Sequence, residues 1–262
     1  MWIDTHCHLD AAEFGSNPEA VALSAARNGV SHIVIPAIAR SNFSIVQELA
    51  RRQPNCTYAL GIHPIFVPQA EEGDLDLLRS AIDDAINDPR LVAVGEIGLD
   101  FFVPGLGEGN LREKQEFFYS EQLKIARDAG LPVLLHVRRS QDIILKYLRR
   151  IDVPGGIAHA FNGSFQQAEE FIRLGFKLGF GGAMTFPRAL QIRRLAAGVD
   201  EAAIVLETDA PDISPVWLHP SRNSPEELPR IGQVLAELRG APVERVAEFT
   251  SQNARSVLPR LI

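Results

Sequence analysis

The feature that most constrains this chain is an alternation. Short runs rich in Ile, Val and Leu recur along its 262 residues, with longer stretches of mixed polarity between them. Eight such runs can be read, at residues 2–6, 31–37, 57–63, 91–96, 132–137, 156–160, 176–181 and 203–207. Continuous apolar runs of this length suit parallel strands covered on both faces. The intervening stretches carry helix signals. Asn17 and Pro18 form a cap and a first helical residue, and Gly29 supplies the stop. Residues 74–87 place Leu75, Leu78, Ile82 and Ile86 along one face, and residues 111–129 close at Gly130. Stretches 140–150 and 164–174 each open on a serine cap. A loop rich in Pro and Ser spans 210–225, followed by a helix at 225–239 and two short helices through Pro259.

Eight strands alternating with helices over ~250 residues is the count of a (β/α)8 barrel, an α/β fold whose active site lies at the carboxyl ends of the strands. An open doubly wound sheet is the structural alternative. It lacks support, because no Gly-x-Gly-x-x-Gly follows a strand, and the glycines at 105, 107 and 109 do not have that spacing. There is no repeat or linker, so one domain is expected over 1–262. Lys plus Arg number 26 against 33 for Asp plus Glu, a formal net charge of −7. That excludes a strongly basic nucleic-acid coat, though not a local basic patch. Two cysteines, Cys7 and Cys56, build no disulfide framework. The first residues do not read as a secretory signal, and no apolar run approaches a membrane span. The expectation is a monomeric cytoplasmic protein without a membrane role.

The metal-capable side chains fall at one kind of position. His6 and His8 end the first run, and their i, i+2 spacing on a strand directs both to the same side. Glu96 ends the fourth run, His136 the fifth and His159 the sixth, and Asp209 follows the eighth. In a barrel these six share one ring at the catalytic face. A lone histidine behind an apolar strand is more often a packed core residue. Six such groups together would carry a large desolvation cost without an ion. The set therefore suits one or two divalent ions of the Zn, Mn or Mg type. Arg138 or Arg139 at the mouth, and Arg222 with Asn223, are candidates to grip a phosphate, with Arg139 the weaker of the adjacent pair. Phe101, Phe102, Phe161 and Phe186 follow strand ends, where packing is the commoner role and base stacking the functional one. His32 reads as structural and His219 as a loop residue. Asp4, Asp10 and Glu207 are placed to orient ligands.

Taken in order, Asp4-Thr5-His6-Cys7-His8-Leu9-Asp10, Gly61-Ile62-His63-Pro64, Gly95-Glu96-Ile97-Gly98-Leu99-Asp100, His136, His159-Ala160-Phe161-Asn162-Gly163 and Glu207-Thr208-Asp209-Ala210-Pro211 resemble the TatD family of metal-dependent deoxyribonucleases. That family lies within the amidohydrolase-like barrel superfamily, and the resemblance covers almost the whole chain. It implies that His6, His8 and Asp209 hold one divalent ion and that His136 and His159 hold a second. Glu96 would bridge the two, where many superfamily relatives use a carboxylated lysine. Asp209 would also be the general base, and His63 would sit beside the site and contact a phosphate. The implied reaction is hydrolysis of DNA by a metal-activated water, trimming single-stranded ends from the 3′ side. The chain departs from the family at Phe101-Phe102-Val103, where Tyr, His or Arg is frequent. It departs again at Asp212, where an aromatic residue is frequent, and at Asn162, where Ser is usual. These positions surround the substrate, not the metal. The alternative is a small ester, amide or lactone hydrolysed at the same dimetal site; a metal-stabilised scaffold for a protein partner is a third reading.

Overall fold

Each apolar run becomes a strand in the computed structural model, which describes residues 1–261. Ile262, the last residue of the expected domain, lies outside the described residues. The first half runs β1 Trp2–Asp4, α1 Pro18–Arg27, β2 Val30–Pro36, α2 Phe43–Arg52, β3 Cys56–Leu60, α3 Gly73–Ala85, β4 Leu91–Asp100 and α4 Gly109–Ala129. The second half runs β5 Val133–Arg138, α5 Gln141–Leu148, β6 Gly156–His159, α6 Phe165–Arg173, β7 Phe176–Phe180, α7 Leu190–Gly198, β8 Ile204–Leu206, α8 Leu228–Arg239 and α9 Val243–Val257. The strands pair in sequence order, all in parallel. β8 returns to β1 through Thr5 N to Leu206 O at 3.1 Å, Asp209 N to His6 O at 2.8 Å and His8 N to Ala210 O at 2.8 Å. The sheet is thus a (β/α)8 barrel, stitched shut beside the residues that matter most.

Local chemistry explains the boundaries. Asn17 caps α1 by accepting from Ala20 N at 3.0 Å. Ser164 and Gln167 form a capping box at α6. Left-handed Gly130 and Gly240 stop α4 and α8. Two helices, α2 and α7, were not expected. Both start without a side-chain cap, and each spans only nine or ten residues. The expected pair of short helices after Gly240 is instead the single helix α9. Two of its polar side chains, Ser251 and Asn253, are spent on backbone outside the helix and so do not compete with it. Ser251 Oγ donates to Met1 O at 2.9 Å, and Asn253 Nδ2 donates to Glu201 O and Ile204 O at 2.7 and 2.8 Å.

Inside the barrel, Ile3, Val34, Ala59, Leu134, Ile157 and Val205 pack with Ala254 and Val257 at the end of α9 and with Leu258 and Leu261 just after it. Two residues further along the same faces stand His136, His159 and Glu207. The barrel therefore changes from an apolar filling to a polar ring within one strand repeat. Cys7 and Cys56 are both buried and free. No helix among the described residues is long and apolar enough to cross a membrane.

β4 runs four residues past Glu96, to Asp100. Gly98 permits this. It sits at φ +145°, opposite His136, and a Cβ there would lie 2.1 Å from His136 O. Gly98→Ala should cost about 3 kcal/mol from backbone strain and overpacking. The midpoint of a urea unfolding curve checks this, and an unchanged midpoint would contradict the close approach.

Candidate metal centre

The ring positions read from the sequence converge on Glu96. This carboxylate is 1% exposed and uses its two oxygens on two sides. Oε2 lies 3.1 Å from His6 Nε2 and 3.5 Å from His8 Nε2. Oε1 lies 3.0 Å from His136 Nδ1, 3.4 Å from His63 Nε2 and 3.9 Å from His159 Nε2. Asp209 Oδ1 closes the first side at 3.6 Å from His8 Nε2, 3.7 Å from His6 Nε2 and 3.7 Å from His159 Nε2. Among the described residues, three overlapping trios have ligand atoms close enough for one ion: His6, His8 and Asp209; His6, Glu96 and His159; His63, Glu96 and His136.

The outer nitrogens decide which imidazoles suit a metal. A ligating histidine presents a lone pair inward and donates its other N–H outward. His159 Nδ1 faces Glu207 Oε1 at 3.0 Å, and His136 Nε2 faces Asp100 Oδ2 at 3.0 Å. Both carboxylates fix the tautomer that frees the inner nitrogen. His63 is wired the other way. Its Nδ1 accepts from Ile65 N at 3.1 Å, so the proton of the neutral ring sits on Nε2 and points at the site. His63 is therefore built to donate a hydrogen bond. The inner nitrogens of His6 and His8 lie only 3.3 Å apart beside two carboxylates, a grouping that a divalent cation would satisfy. The residues present fit such an ion.

The electrostatics agree. Burial disfavours charge on His8, but the hydrogen bond and charge of Glu96, with the charge of Asp209, raise its pKa to about 9. For His159, burial is likewise outweighed by Asp209 and Glu207, and the pKa rises to about 10. Burial holds His63 down to about 4, so it stays neutral. Burial opposes charge on Glu96, but His63, His6 and a hydrogen bond from His136 hold it well below the usual carboxylate range. Without metal, protons on His8 and His159 take the place of cations.

Backbone geometry is unusual here. Asp209, Ala160 and Arg139 adopt positive φ of 56°, 45° and 56°. Ala160 N donates to Glu207 Oε1 at 2.6 Å. The Asp209 loop is held by Asp4, whose carboxylate accepts from His6 N, Thr208 N and Thr208 Oγ1 at 3.3, 2.9 and 2.5 Å. Asp4 thus orients backbone, not an imidazole.

The substrate candidates separate. His63 and Arg138 line a cavity of about 990 Å³ whose floor is the histidine cluster. Arg139 lines it too, against expectation, because its positive φ breaks the strand alternation. Asn223 does not. It is fully buried, and its amide donates to Thr208 O at 2.8 Å and Ile213 O at 3.3 Å, so it clamps the Asp209 loop. Arg222 lies outside the cavity lining, with its guanidinium 4.6 Å from the Phe14 ring centre and its Nη1 donating to Asn223 O. Of the four phenylalanines, only Phe102 lines the cavity; Phe66, which the sequence did not single out, does as well. Asp100 was also missed as a partner of His136. The available signal was its parity with Glu96 on one strand.

With this geometry in view, the likenesses to known proteins are informative. The sequence model of the family described as TatD related DNase matches residues 3–259. A protein of Escherichia coli K12, named as the uncharacterized metal-dependent hydrolase YjjV, is 40% identical over 96% of this chain and 95% of its own. The crystal structure of YjjV, titled a TatD homolog, superposes with a TM-score of 0.92 at 38% identity over 98% of both chains. A human protein named deoxyribonuclease TATDN3 is 29% identical over 99% of this chain and 95% of its own.

Two measurements test the centre. Glu207→Gln weakens the acceptor for His159 and should lower divalent-ion affinity by roughly 10–100-fold, read by competition with a chelator. In metal-free protein, His8 and His159 have folded pKa values of about 9 and about 10, above the ordinary 6.5. Their contribution to stability is full below pH 6.5 and lost as pH rises through 9 to 10. Melting temperature should fall over that window without metal and fall less with saturating divalent ion. A flat metal-free profile would contradict the protonated cluster.

Proposed function

The chain belongs to the TatD related DNase family, and we propose that this metal-dependent hydrolase cleaves phosphodiester bonds of DNA, trimming single-stranded ends from the 3′ side. One observation carries the reading. Two sets of histidines approach opposite oxygens of the buried Glu96, at the floor of a cavity walled by Arg138 and Arg139. Such a floor can hold two adjacent divalent ions, and the flanking guanidiniums suit a phosphate. The family's description and the name of the human relative support DNA as the substrate.

His6, His8 and Asp209 would hold one ion, His136 and His159 the other, and Glu96 both. When bound, such ions supply Lewis acidity, offsetting phosphate charge and making water a stronger acid at neutral pH. The chain's own residues do the rest. Asp209, 9% exposed at the edge of the cluster, is the carboxylate open to solvent water and accepts the proton of the attacking water. His63 offers its Nε2–H to a non-bridging phosphate oxygen. Arg138, half exposed, pairs with the phosphate from the wall. Asp100 and Glu207 keep His136 and His159 in the tautomers that face inward.

A second reading has one observation in its favour. Ile38, Ile65, Val137, Ile192 and Ile213 also line the cavity, and an apolar wall suits a small ester, amide or lactone. The experiment separates the two: strip the protein with chelator, restore Mg, Mn or Zn, and follow nucleotide release from labelled single-stranded DNA beside a panel of small esters. Release of nucleotides is expected; ester turnover without it would overturn the nuclease reading. Asp209→Asn should lower kcat by about 10²–10⁴-fold, the range for a positioned general base, while the melting temperature stays close to that of the unaltered protein. Ordinary turnover by that variant would remove Asp209 as the base.

A further inference from the structure

The cavity has two unlike walls. The barrel order places the loops after β4 and β5 across the mouth from those after β8 and β1. The first wall carries Phe102, Arg138 and Arg139. The second carries Glu13 and Asp212, and among the described residues no Lys or Arg nitrogen lies within ion-pair distance of either.

Phe102 is 45% exposed, an unfavourable setting for a phenyl ring with no further role. It is nevertheless held firmly. Asp100 Oδ1 accepts from Phe102 N at 2.8 Å and Val103 N at 2.9 Å, while Asp100 Oδ2 meets His136 Nε2. One carboxylate therefore ties the loop to the metal centre. The Arg138 guanidinium lies 3.9 Å from the ring centre, and that of Arg139 lies 4.6 Å from it. Arg138 has a distant carboxylate partner, Asp100 at 3.8 Å, and among the described residues Arg139 has none within ion-pair reach. The Phe102 ring and the guanidiniums packed over it thus form a layer that lines a cavity whose floor is the cluster, with positive charge beside it.

Resting on the phosphodiesterase reading above, we infer that Phe102, Arg138 and Arg139 form the subsite that grips the nucleotide next to the scissile linkage, its base stacked on the ring–guanidinium layer and its phosphate on Arg139. Stacking and charge pairing accept any base, so the grip is independent of sequence. The acidic wall opposite turns the polyanion toward this side. The departure at Phe101-Phe102-Val103 thereby becomes a substrate contact.

The probe is 5′-fluorescein pentathymidylate with phosphorothioate linkages, which resist turnover, followed by fluorescence anisotropy with the metal-loaded protein. Phe102→Ala should raise Kd by roughly 5–100-fold, the range for losing one base–aromatic stack. Phe102→Tyr should bind within about threefold of the unaltered protein, since it keeps the stacking face. Arg139→Gln should raise Kd and flatten its salt dependence by about 0.7 in log–log slope, one phosphate contact on a single strand. Asp212→Asn should tighten binding. A Kd for Phe102→Ala within twofold of the unaltered protein would overturn the subsite, as would Phe102→Leu binding as tightly as Phe102→Tyr. Melting temperatures confirm that each variant is folded. Hydrolysis of methyl p-nitrophenyl phosphate by the unaltered protein is measured alongside. Hydrolysis with unchanged binding by Phe102→Ala sinks the subsite alone. The expected binding pattern without hydrolysis sinks the phosphodiesterase reading and leaves these residues as a binding site for single-stranded DNA with no scissile linkage beside it.

Discussion

A single buried carboxylate sets the terms for the mouth of this barrel. Removing Glu96 from water costs several kcal/mol even after relaxation. The cost is offset only if hydrogen-bonding partners arrive from several directions at once. They come from the ends of β1, β3, β5 and β6, each within 4 Å of one of its oxygens. This places a severe demand on register. A one-residue slip of any strand would turn its histidine to the outer face and leave the carboxylate partly unpaired. The closing hydrogen bonds between β8 and β1 sit at His6, His8 and Asp209 themselves, so barrel closure and site assembly are one event.

The same demand accounts for the strained backbone. Left-handed conformations at non-glycine residues cost of order 1–3 kcal/mol each. Here Ala160 follows a site histidine directly, and Asp209 is itself a site residue. Each is held by a bond that exists only in the assembled mouth: Ala160 N to Glu207 Oε1, and Asp209 N to His6 O. Asn223 and Asp4 tighten the Asp209 loop from opposite sides through Thr208. Buried side chains whose polar atoms are spent on backbone explain how a loop residue can be placed as firmly as a strand residue.

Much of this was legible in the sequence, for a definable reason. The eight apolar runs and the residues at their carboxyl ends obey the two-residue period of a strand, and that period carries side-chain direction. His136, His159 and Glu96 could be placed together from it. Direction is lost where the chain leaves the strand. Asn223, from a long loop, was expected to face substrate and is instead buried beneath Asp209. Arg139 was expected to turn away from the cavity, but its positive φ brings it in. Helices α2 and α7 were missed because neither starts on a working side-chain cap: Ala189 precedes α7, and Asn42 before α2 spends its side-chain oxygen on Ile38 N and Ala39 N. The role of Asp100 was hidden because the fourth apolar run was expected to end at Glu96, whereas Gly98 lets the strand continue beside β5.

The net charge of −7 also takes on a different meaning once the groups are placed. At physiological salt the Debye length is about 8 Å, so an approaching phosphate responds mainly to the nearest groups and little to the remote surface. The nearest groups are two arginines on one wall, two carboxylates on the other, and the floor. The sign of the floor is not fixed by the chain. Glu96 and Asp209 with neutral imidazoles make it negative, protonation of His8 and His159 brings it near neutrality, and divalent cations make it positive. Affinity for a polyanion and occupancy by metal are therefore linked through the same few ångströms. Whatever strengthens one must strengthen the other by the same factor. On the nuclease reading proposed above, an acidic protein would in this way hold a nucleic-acid end more tightly when its centre is loaded, with no change of fold required.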